Sequence, residues 1–313
     1  MNGKNGVKRS IVFFLVPDFS MIAFATAIEP LRLANRMLGH ESYKWRLSSL
    51  DGKPVTASNG VTCAVTASLD DERRMMMGPD KPSMIFVCSG VNVEKFHNKS
   101  VFAFLREEYN RGVSVGGLCT GAHILAAAGL LSGKRCAIHW ENLPGFAEAY
   151  PKANVFADLF EIDSNIYTCA GGTAALDMMV KLIGDDHDEN LVNRVCEQAL
   201  TDRVRNPQDR QRLPLRARLG VQNSKVLTII ELMEANLSEP LSLRSGLIAP
   251  DTCSSSPHFR LWKLQWPAAS FRHHISPSAT VKSMAAHHSR SGWIARRRWQ
   301  HEMKFLPRPL TAT

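Results

Sequence analysis

The stretch VSVGGLCTGAHILAAAGLL, residues 113–131, decides the fold of this chain. Its first part is a β-branched apolar run typical of a buried strand, and its second part is rich in Ala and Leu, which favour helices. Glycines and one cysteine join the two parts, so we expect a sharp turn from strand to helix at Cys119. Such a turn exposes its central residue at the carboxyl edge of a parallel sheet, where open α/β sheets bind ligands.

These residues alone leave several interpretations of Cys119 open. Buried cysteines often act as small apolar side chains, and a G-x-C-x-G pattern is by itself a weak signal. A thiol at the start of a helix also faces unpaired N–H groups and a positive dipole end, which favour a thiolate or a bound carboxylate. The pattern makes Cys119 a special position without deciding between an inert thiol, a ligand-site residue and a nucleophile.

Strands and helices alternate on both sides of this stretch. Short apolar runs predict strands at residues 10–17, 43–52, 61–69, 83–90, 113–119 and 134–139, and two strand segments within 159–170. Helical periodicity predicts helices at residues 20–38, 99–112, 121–133, 141–151, 171–184 and 188–204. Pro30 is expected to kink or break the first helix. The alternation predicts an α/β fold with a parallel sheet covered by helices on both faces.

Charge divides the 313 residues unevenly. Residues 1–205 hold 22 Lys and Arg against 23 Asp and Glu, whereas residues 206–313 hold 16 against 6, and the chain's net charge is +9. A neutral front and a basic back are typical of an enzyme-like or sensor-like domain followed by a region that meets a polyanion. The alternative is a solvated basic tail.

Cysteine usage and hydropathy exclude several classes of protein. The seven cysteines form no CxxC pair and show neither zinc-site nor disulfide-framework spacing. Reduced thiols, and therefore a cytoplasmic location, are the simpler interpretation. The apolar run near the N-terminus is short and interrupted by Asp18, so we expect no signal peptide, and we find no stretch long enough to span a membrane.

Two segments carry a resemblance to a known family. GLCTGAHILAAAGLLSGKRCAIHW (117–140) and TCAGGTAALDMMVKLI (168–183) resemble the ThiJ/PfpI branch of the class I glutamine-amidotransferase-like fold. They look most similar to the sensor domain of GlxA-type regulators in the AraC/XylS family, and the resemblance covers about residues 9–243. It implies a flavodoxin-like parallel sheet sandwiched by helices.

The resemblance also implies an organisation of the whole chain. Residues 1–205 are expected to form the ThiJ/PfpI-like effector-sensing domain, and the polar, basic residues 206–222 a linker. Residues 223–243 match the first helix of an AraC-type DNA-binding domain, with Asn223 or Ser224 as the N-cap. Residues 244–313 form a basic tail that departs from the family.

An effector pocket at the turn follows from the same resemblance. In such domains a Glu from the first helix, and often a His after the turn, face the cysteine, and Glu29 and His139 stand where those residues are expected. A carboxyl group beside the thiol of Cys119 would have a raised pKa and could share a proton with it. Without the resemblance, Glu29 reads as an exposed helix carboxylate and His139 as a core histidine.

One departure concerns the residue after the cysteine. Peptidase-like members have a His there, whereas this chain has Thr120, so one route to an activated thiol is missing. No catalytic residue is assured, and Cys119 is only a candidate nucleophile. We expect Thr120, Gly90, Gly171 and Gly172 to line the pocket, and we expect no metal and no cofactor.

These residues are compatible with two functions. The first is a transcriptional regulator that senses a small nitrogenous metabolite, of the amino acid or betaine type, without turning it over. It would bind operator DNA as a homodimer. The second is a Cys-dependent hydratase or amidase with Cys119 as nucleophile, supported by Glu29 and His139. Thr120 and the basic back region favour the regulator.

The tail does not continue the family's pattern. Residues 244–313 hold eleven Lys and Arg against two acids, and show no persistent period. The family places a Leu-Ala-x-x-x-Gly-x-Ser pattern here, which is absent. A shifted reading frame is one explanation, because the codons of GWIA (292–295), read from the third base of the Gly codon, can encode Leu-Asp-Arg. A diverged or disordered tail is the other, and its Arg296–Arg298 run would contact phosphates non-specifically. Either way we expect the DNA-binding part to be compromised, and its DNA-contacting residues are unknown.

Overall fold

The computed structural model describes residues 7–79 and 81–235, and its strands and helices alternate along these ranges. The strands are β1 (Arg9–Leu15), β2 (Tyr43–Ser49), β3 (Val55–Thr56), β4 (Thr62–Cys63), β5 (Ala67–Ser68), β6 (Met84–Cys88), β7 (Ser114–Leu118), β8 (Arg135–Ala137), β9 (Asn154–Phe156), β10 (Phe160–Asp163) and β11 (Ile166–Cys169). The helices are α1 (Met21–Leu38), α2 (Leu69–Met75), α3 (Lys99–Asn110), α4 (Gly121–Ala127), α5 (Leu143–Ala149), α6 (Ala174–Asp186), α7 (Glu189–Gln198), α8 (Leu215–Leu219) and α9 (Ser224–Ala235).

A seven-stranded sheet in the order β10-β11-β7-β6-β1-β2-β5 forms the centre. Every neighbouring pair in it is parallel except β10 and β11, which form an antiparallel hairpin at one edge. The carboxyl ends of β1, β6 and β7 therefore meet at one edge, with Cys119 directly after β7. The α/β prediction, with a mainly parallel sheet, is confirmed.

Strand β1 shows why the sheet is covered on both faces. It lies between β2 and β6, and its side chains alternate between two apolar clusters. Ile11 and Phe13 face the cluster that contains α1, α6 and α7. Val12 and Phe14 face the cluster that contains α3, α4 and α5. Strands buried on both sides read as continuous apolar runs, which is why this strand was predictable from sequence.

Several element boundaries differ from the prediction. Helix α1 continues through Pro30 without a break, because proline removes only one backbone donor and the helix remains packed on both sides of it. The single strand predicted at 61–69 is wrong. Its first part, β4, pairs antiparallel with β3 in a separate ribbon, whereas its second part, β5, joins the edge of the main sheet.

Left-handed residues shorten three predicted helices. Helix α4 ends before Gly129 (φ 80°), and α6 begins only after Gly171 and Gly172 (φ 85° and 56°). Helix α7 ends before Leu200 (φ 55°). A positive φ cannot continue a right-handed helix, so each of these residues marks a boundary. The strand predicted at 134–139 is present as β8, but it pairs with β9, a three-residue strand that the sequence did not reveal.

The segment expected to be a linker contacts the domain that precedes it. The backbone N–H of Leu159 donates to the carbonyl of Pro207, and Leu215 in the short helix α8 is buried. Helix α9 begins at Ser224, where the Asn223 side-chain oxygen accepts from the Lys225 N–H. The predicted end of this helix at 243, and the tail at 244–313, lie outside the described residues. Within the ranges described, no helix is both long and apolar enough to cross a membrane.

Candidate functional site

The turn after β7 holds Cys119 in a strained backbone conformation. Its φ is 61°, in the left-handed region that non-glycine residues rarely occupy. The backbone on either side of Cys119 packs too closely for a side chain at position 117. A Cβ on Gly117 would lie 2.5 Å from the carbonyl carbon of Gly121. Strained positions of this kind cluster at functional sites. Asp18 after β1 and Asn92 after β6 also have positive φ, so the strain is concentrated along one edge of the sheet.

The thiol of Cys119 is nearly enclosed. The residue is 9% exposed. Burial raises the pKa of the thiol to about 11, outweighing hydrogen bonds from the Thr120 N–H and the Ser20 hydroxyl that favour the thiolate, and the Glu141 carboxylate raises it further. With this pKa the thiol is protonated at neutral pH.

The side chain of Thr120 is hydrogen-bonded to the loop after β6. Its hydroxyl donates to the carbonyl of Gly90 at 2.6 Å and lies 2.8 Å from the hydroxyl of Ser89. The residue is 3% exposed. Thr120 thus ties the turn to the loop after β6, and Gly90 lies beside the turn. A hydroxyl held in this way cannot take the place of the histidine base.

The loop before α6 closes against the thiol from the other side. A Cβ on Gly171 would lie 2.6 Å from the Cβ of Cys119 and 3.0 Å from its Sγ, so the two residues are in direct contact. The next carbonyl, that of Gly172, accepts a hydrogen bond from the Thr26 hydroxyl of α1 at 2.6 Å. No atom lies within 4 Å of a Cβ built on Gly172, so its α-carbon borders open space.

His139 reaches the turn through its backbone. Its N–H donates to the carbonyl of Cys119 at 3.3 Å. Its ring faces Trp140, with 5.6 Å between ring centroids, and its Nδ1 accepts from the N–H of Glu141 at 3.4 Å. The Glu141 carboxylate is 3.8 Å from the same nitrogen. The imidazole therefore belongs to a small polar group at the rim of the site, with Glu141 as its partner.

Glu29 is not brought to the thiol. Its side chain is 51% exposed and pairs with Arg32 at 2.6 Å on the solvent face of α1. Ser20 caps the start of this helix and contacts the thiol, and nine further residues place Glu29 about 13 Å along the axis from that end. The exposed-carboxylate alternative describes its position. The carboxylate that acts on the thiol is that of Glu141.

Sequence reasoning missed Ser20 and Glu141. A signal existed for Ser20, since it is an N-cap serine placed directly after the first strand's loop. Glu141 carried no comparable signal, because its position depends on how the chain after β8 folds back over the turn. The ring of His123 contacts Phe146 and Tyr150, which belong to the apolar cluster on the other face of the sheet.

No set of metal-binding side chains is found in the described part of the chain. Within residues 7–79 and 81–235, no group of three His, Cys, Asp or Glu side chains is arranged to hold an ion. What the site does offer is a protonated thiol, the Ser20 hydroxyl, and a rim formed by His139 and Glu141. Such a set can bind a small polar molecule through hydrogen bonds and one carboxylate, but it supplies no thiolate nucleophile at neutral pH.

Comparison with known proteins places this geometry in context. The model of the DJ-1/PfpI family matches residues 9–185. The HTH-type transcriptional regulator GbdR of Pseudomonas aeruginosa is 40% identical over 240 residues, which cover 77% of this chain and 64% of that protein. The HTH-type transcriptional regulator GlxA of Rhizobium meliloti is 34% identical over 232 residues, covering 74% of this chain and 69% of that protein.

A solved structure shows the same likeness. The AraC family transcriptional regulator from Pseudomonas putida superposes with a TM-score of 0.55 at 25% identity, covering 62% of this chain and all of that one. The present chain thus spans less than two thirds of the length of GbdR, and the part in common includes the strained turn and the loop before α6.

Proposed function

Because this chain belongs to the DJ-1/PfpI family and, within it, to the GlxA-type regulators of the AraC family, we propose that it senses a small metabolite and regulates transcription. Residues 1–205 bind a nitrogenous effector, of the amino acid or betaine type, beside Cys119 and do not turn it over. Residues from 223 onward begin the part that meets operator DNA.

The protonation state of Cys119 carries the proposal that the site binds rather than reacts. A thiol with a pKa of about 11 is almost entirely protonated at pH 7, and it lacks the adjacent histidine of the peptidase-like members. Thr120, in the place of that histidine, donates to a backbone carbonyl instead. The turn therefore serves as a rigid wall of the pocket.

A nitrogenous ligand is supported by the charge at the rim. Glu141 is 65% exposed and lies near enough to raise the pKa of the thiol. A carboxylate in this place attracts a cationic nitrogen and repels an anion. The pocket's backbone N–H groups and the Ser20 hydroxyl can serve the polar remainder of the ligand.

The regulatory part of the proposal rests on the relatives and on α9. Val226 and Ile229 of this helix are 40% and 44% exposed, so the part described leaves its apolar side chains uncovered. Apolar surface of this kind is typical of a helix that packs against further protein. We propose that residues 223–243 open a DNA-binding domain that works as a homodimer, compromised in this chain after residue 243.

Calorimetric titration of the purified chain with glycine betaine, carnitine and the amino acids tests the sensing part. We expect saturable binding of one of these compounds through its cationic nitrogen, weakened at least fivefold in Glu141→Gln and unchanged in Glu148→Gln, a matched control on α5. Equal affinities of the two variants would show that Glu141 does not face the ligand.

Mobility-shift assays with the gene's own upstream DNA test the regulatory part separately. Retention that depends on sequence and effector supports it, and the absence of retention at every effector concentration refutes it for this chain. Turnover of a bound compound that is lost in Cys119→Ala would instead favour the alternative function, a Cys-dependent hydratase or amidase. The strained left-handed backbone of Cys119, a feature that clusters at functional sites, is the observation that favours this alternative.

A further inference from the structure

A second cleft lies on the segment between α7 and α9. Its volume is about 440 Å³, and it is bordered by Trp140 on one side and by residues 210–218 on the other. Sites for small molecules have volumes of roughly 300 to 1,000 Å³. None of the residues proposed for the effector pocket lines this cleft, but Trp140 does, and its ring lies 5.6 Å from that of His139, so the cleft adjoins the rim of the effector site.

The cleft is strongly basic. Arg210, Arg212 and Arg218 line it, and no Asp or Glu does. Among the residues that the structure describes, neither Arg210 nor Arg212 has a carboxylate partner within ion-pair distance. Arg212 instead lies over the ring of Trp140, with its guanidinium carbon 4.4 Å from the ring centroid. A guanidinium held flat on an indole keeps its N–H edge available for an anion.

Two carboxylates close in sequence to the lining residues pair with arginines outside the cleft. Asp209 lies 3.6 Å from the guanidinium of Arg203. Asp158 lies 3.9 Å from the guanidinium of Arg135. Because arginines line the cleft and no carboxylate does, it favours a negatively charged ligand.

The segment that presents these arginines is firmly attached. Gln211 lies between Arg210 and Arg212, and its Nε2 donates to the carbonyls of Ile138 at 3.0 Å and Asp158 at 2.7 Å. Leu215 is buried beneath the cleft. The backbone that carries the arginines is thus held in place before any ligand arrives, which lowers the entropy cost of binding.

Gln211 also presents an unused acceptor. Because its Nε2 makes both hydrogen bonds to carbonyl oxygens, the orientation of the amide is determined, and its Oε1 is buried without a donor among the described residues. A buried acceptor without a partner costs free energy that a hydroxyl or amine donor would recover.

We propose that this cleft binds a small organic anion, a carboxylate or phosphate ester that carries an apolar or planar body and at least one O–H or N–H donor. Arg210 and Arg212 hold the negative group, Trp140 and Leu215 contact the body, and Gln211 Oε1 accepts from the donor. The cleft adjoins the rim of the effector site through Trp140, but Arg210, Arg212 and Gln211 belong to the cleft alone, so variants of these residues and of Glu141 test the two proposals separately.

Titration calorimetry with 4-hydroxybenzoate tests this proposal, because that compound combines a carboxylate, a planar ring and a hydroxyl donor. We expect binding in the millimolar range that suits a fragment of this size, and no binding of the neutral analogue 4-hydroxybenzyl alcohol. Absence of binding of the acid, or equal binding of the acid and the alcohol, overturns the proposal.

Variants locate the binding on the surface. The double variant R210Q/R212Q should weaken 4-hydroxybenzoate binding about tenfold or more, since it removes both charge-assisted contacts. R216Q is the matched control, because Arg216 lies on the same segment and does not line the cleft. All three arginines are exposed, and circular dichroism of each variant checks its fold. Equal loss in R216Q and in the double variant overturns the assignment to this cleft.

Discussion

Substitution of Gly171 by alanine tests the contact that closes the site around Cys119. The new methyl group would lie 2.6 Å from the Cβ of Cys119, a distance that real side chains do not show. Relieving it by moving the backbone costs about 1–3 kcal/mol, as for other overpacked sites. The φ of 85° adds about 1–2 kcal/mol for an L-residue. We therefore expect G171A to lower the free energy of unfolding by about 2–5 kcal/mol.

The neighbouring glycine provides the control. Gly172 also has a positive φ, 56°, but a Cβ built there meets no atom within 4 Å. G172A should thus cost only the conformational part, about 1 kcal/mol. Urea unfolding followed by circular dichroism gives the free energy of unfolding of both variants in one experiment.

A double variant decides whether Cys119 is the group that clashes. C119G removes the Cβ and Sγ that the new methyl would meet at 2.6 and 3.0 Å but leaves the Cα at 2.8 Å, so the clash is relieved in part. C119G/G171A should therefore be more stable than the sum of the single effects predicts by about 1 kcal/mol. If G171A and G172A are equally destabilised, or if C119G brings no recovery, the close approach of this loop to the thiol is refuted.

Three further predictions concern the same domain. Thr120→Val should lower the free energy of unfolding by about 1–3 kcal/mol because it leaves a buried carbonyl without its donor, whereas Thr120→Ser should stay close to the parent protein in urea unfolding. The rate at which iodoacetamide alkylates Cys119, measured by mass spectrometry of its peptide, should rise with pH and reach half its maximum near pH 11. Burial keeps the thiol protonated below that pH. A midpoint near pH 8 contradicts this prediction. Asp177→Asn should lower the free energy of unfolding by about 2–4 kcal/mol, because it leaves the partly buried Arg205 without its carboxylate. Asp185→Asn, at an exposed pair, should lower it by less than about 1 kcal/mol. Equal losses of stability in thermal unfolding would contradict this difference.

The central sheet was predictable because its strands carry strong local signals. β1, β6 and β7 are buried on both faces, so their apolar runs stand out from the sequence. The strands β3, β4 and β5 have only two residues each, too few to show an alternating pattern. Their partners, β4 for β3 and β2 for β5, are set by the path of the chain and not by the local sequence. The helix ends were misplaced where a residue such as Leu200 adopts a positive φ that its side chain does not announce.

The site was predictable only where one residue type has a specific backbone role. Close approach of the backbone requires the glycines at 117 and 171, whereas the left-handed φ of Cys119 is one that a non-glycine residue rarely adopts. Glu29 shows the limit of inference from a resemblance. Glu29 lies on the exposed side of α1, where it pairs with Arg32, and the carboxylate that raises the pKa of the Cys119 thiol is that of Glu141, after β8.

We propose that the turn at Cys119 binds its ligand without converting it. Proton NMR of each compound that binds the purified chain, followed over many hours at pH 7 with the parent protein and with Cys119→Ala, tests this claim most directly. We predict that the ligand's spectrum stays unchanged with both proteins, because the thiol is protonated and has no adjacent histidine base. Conversion of the ligand by the parent protein, lost in Cys119→Ala, would contradict the claim and make the chain a cysteine-dependent enzyme.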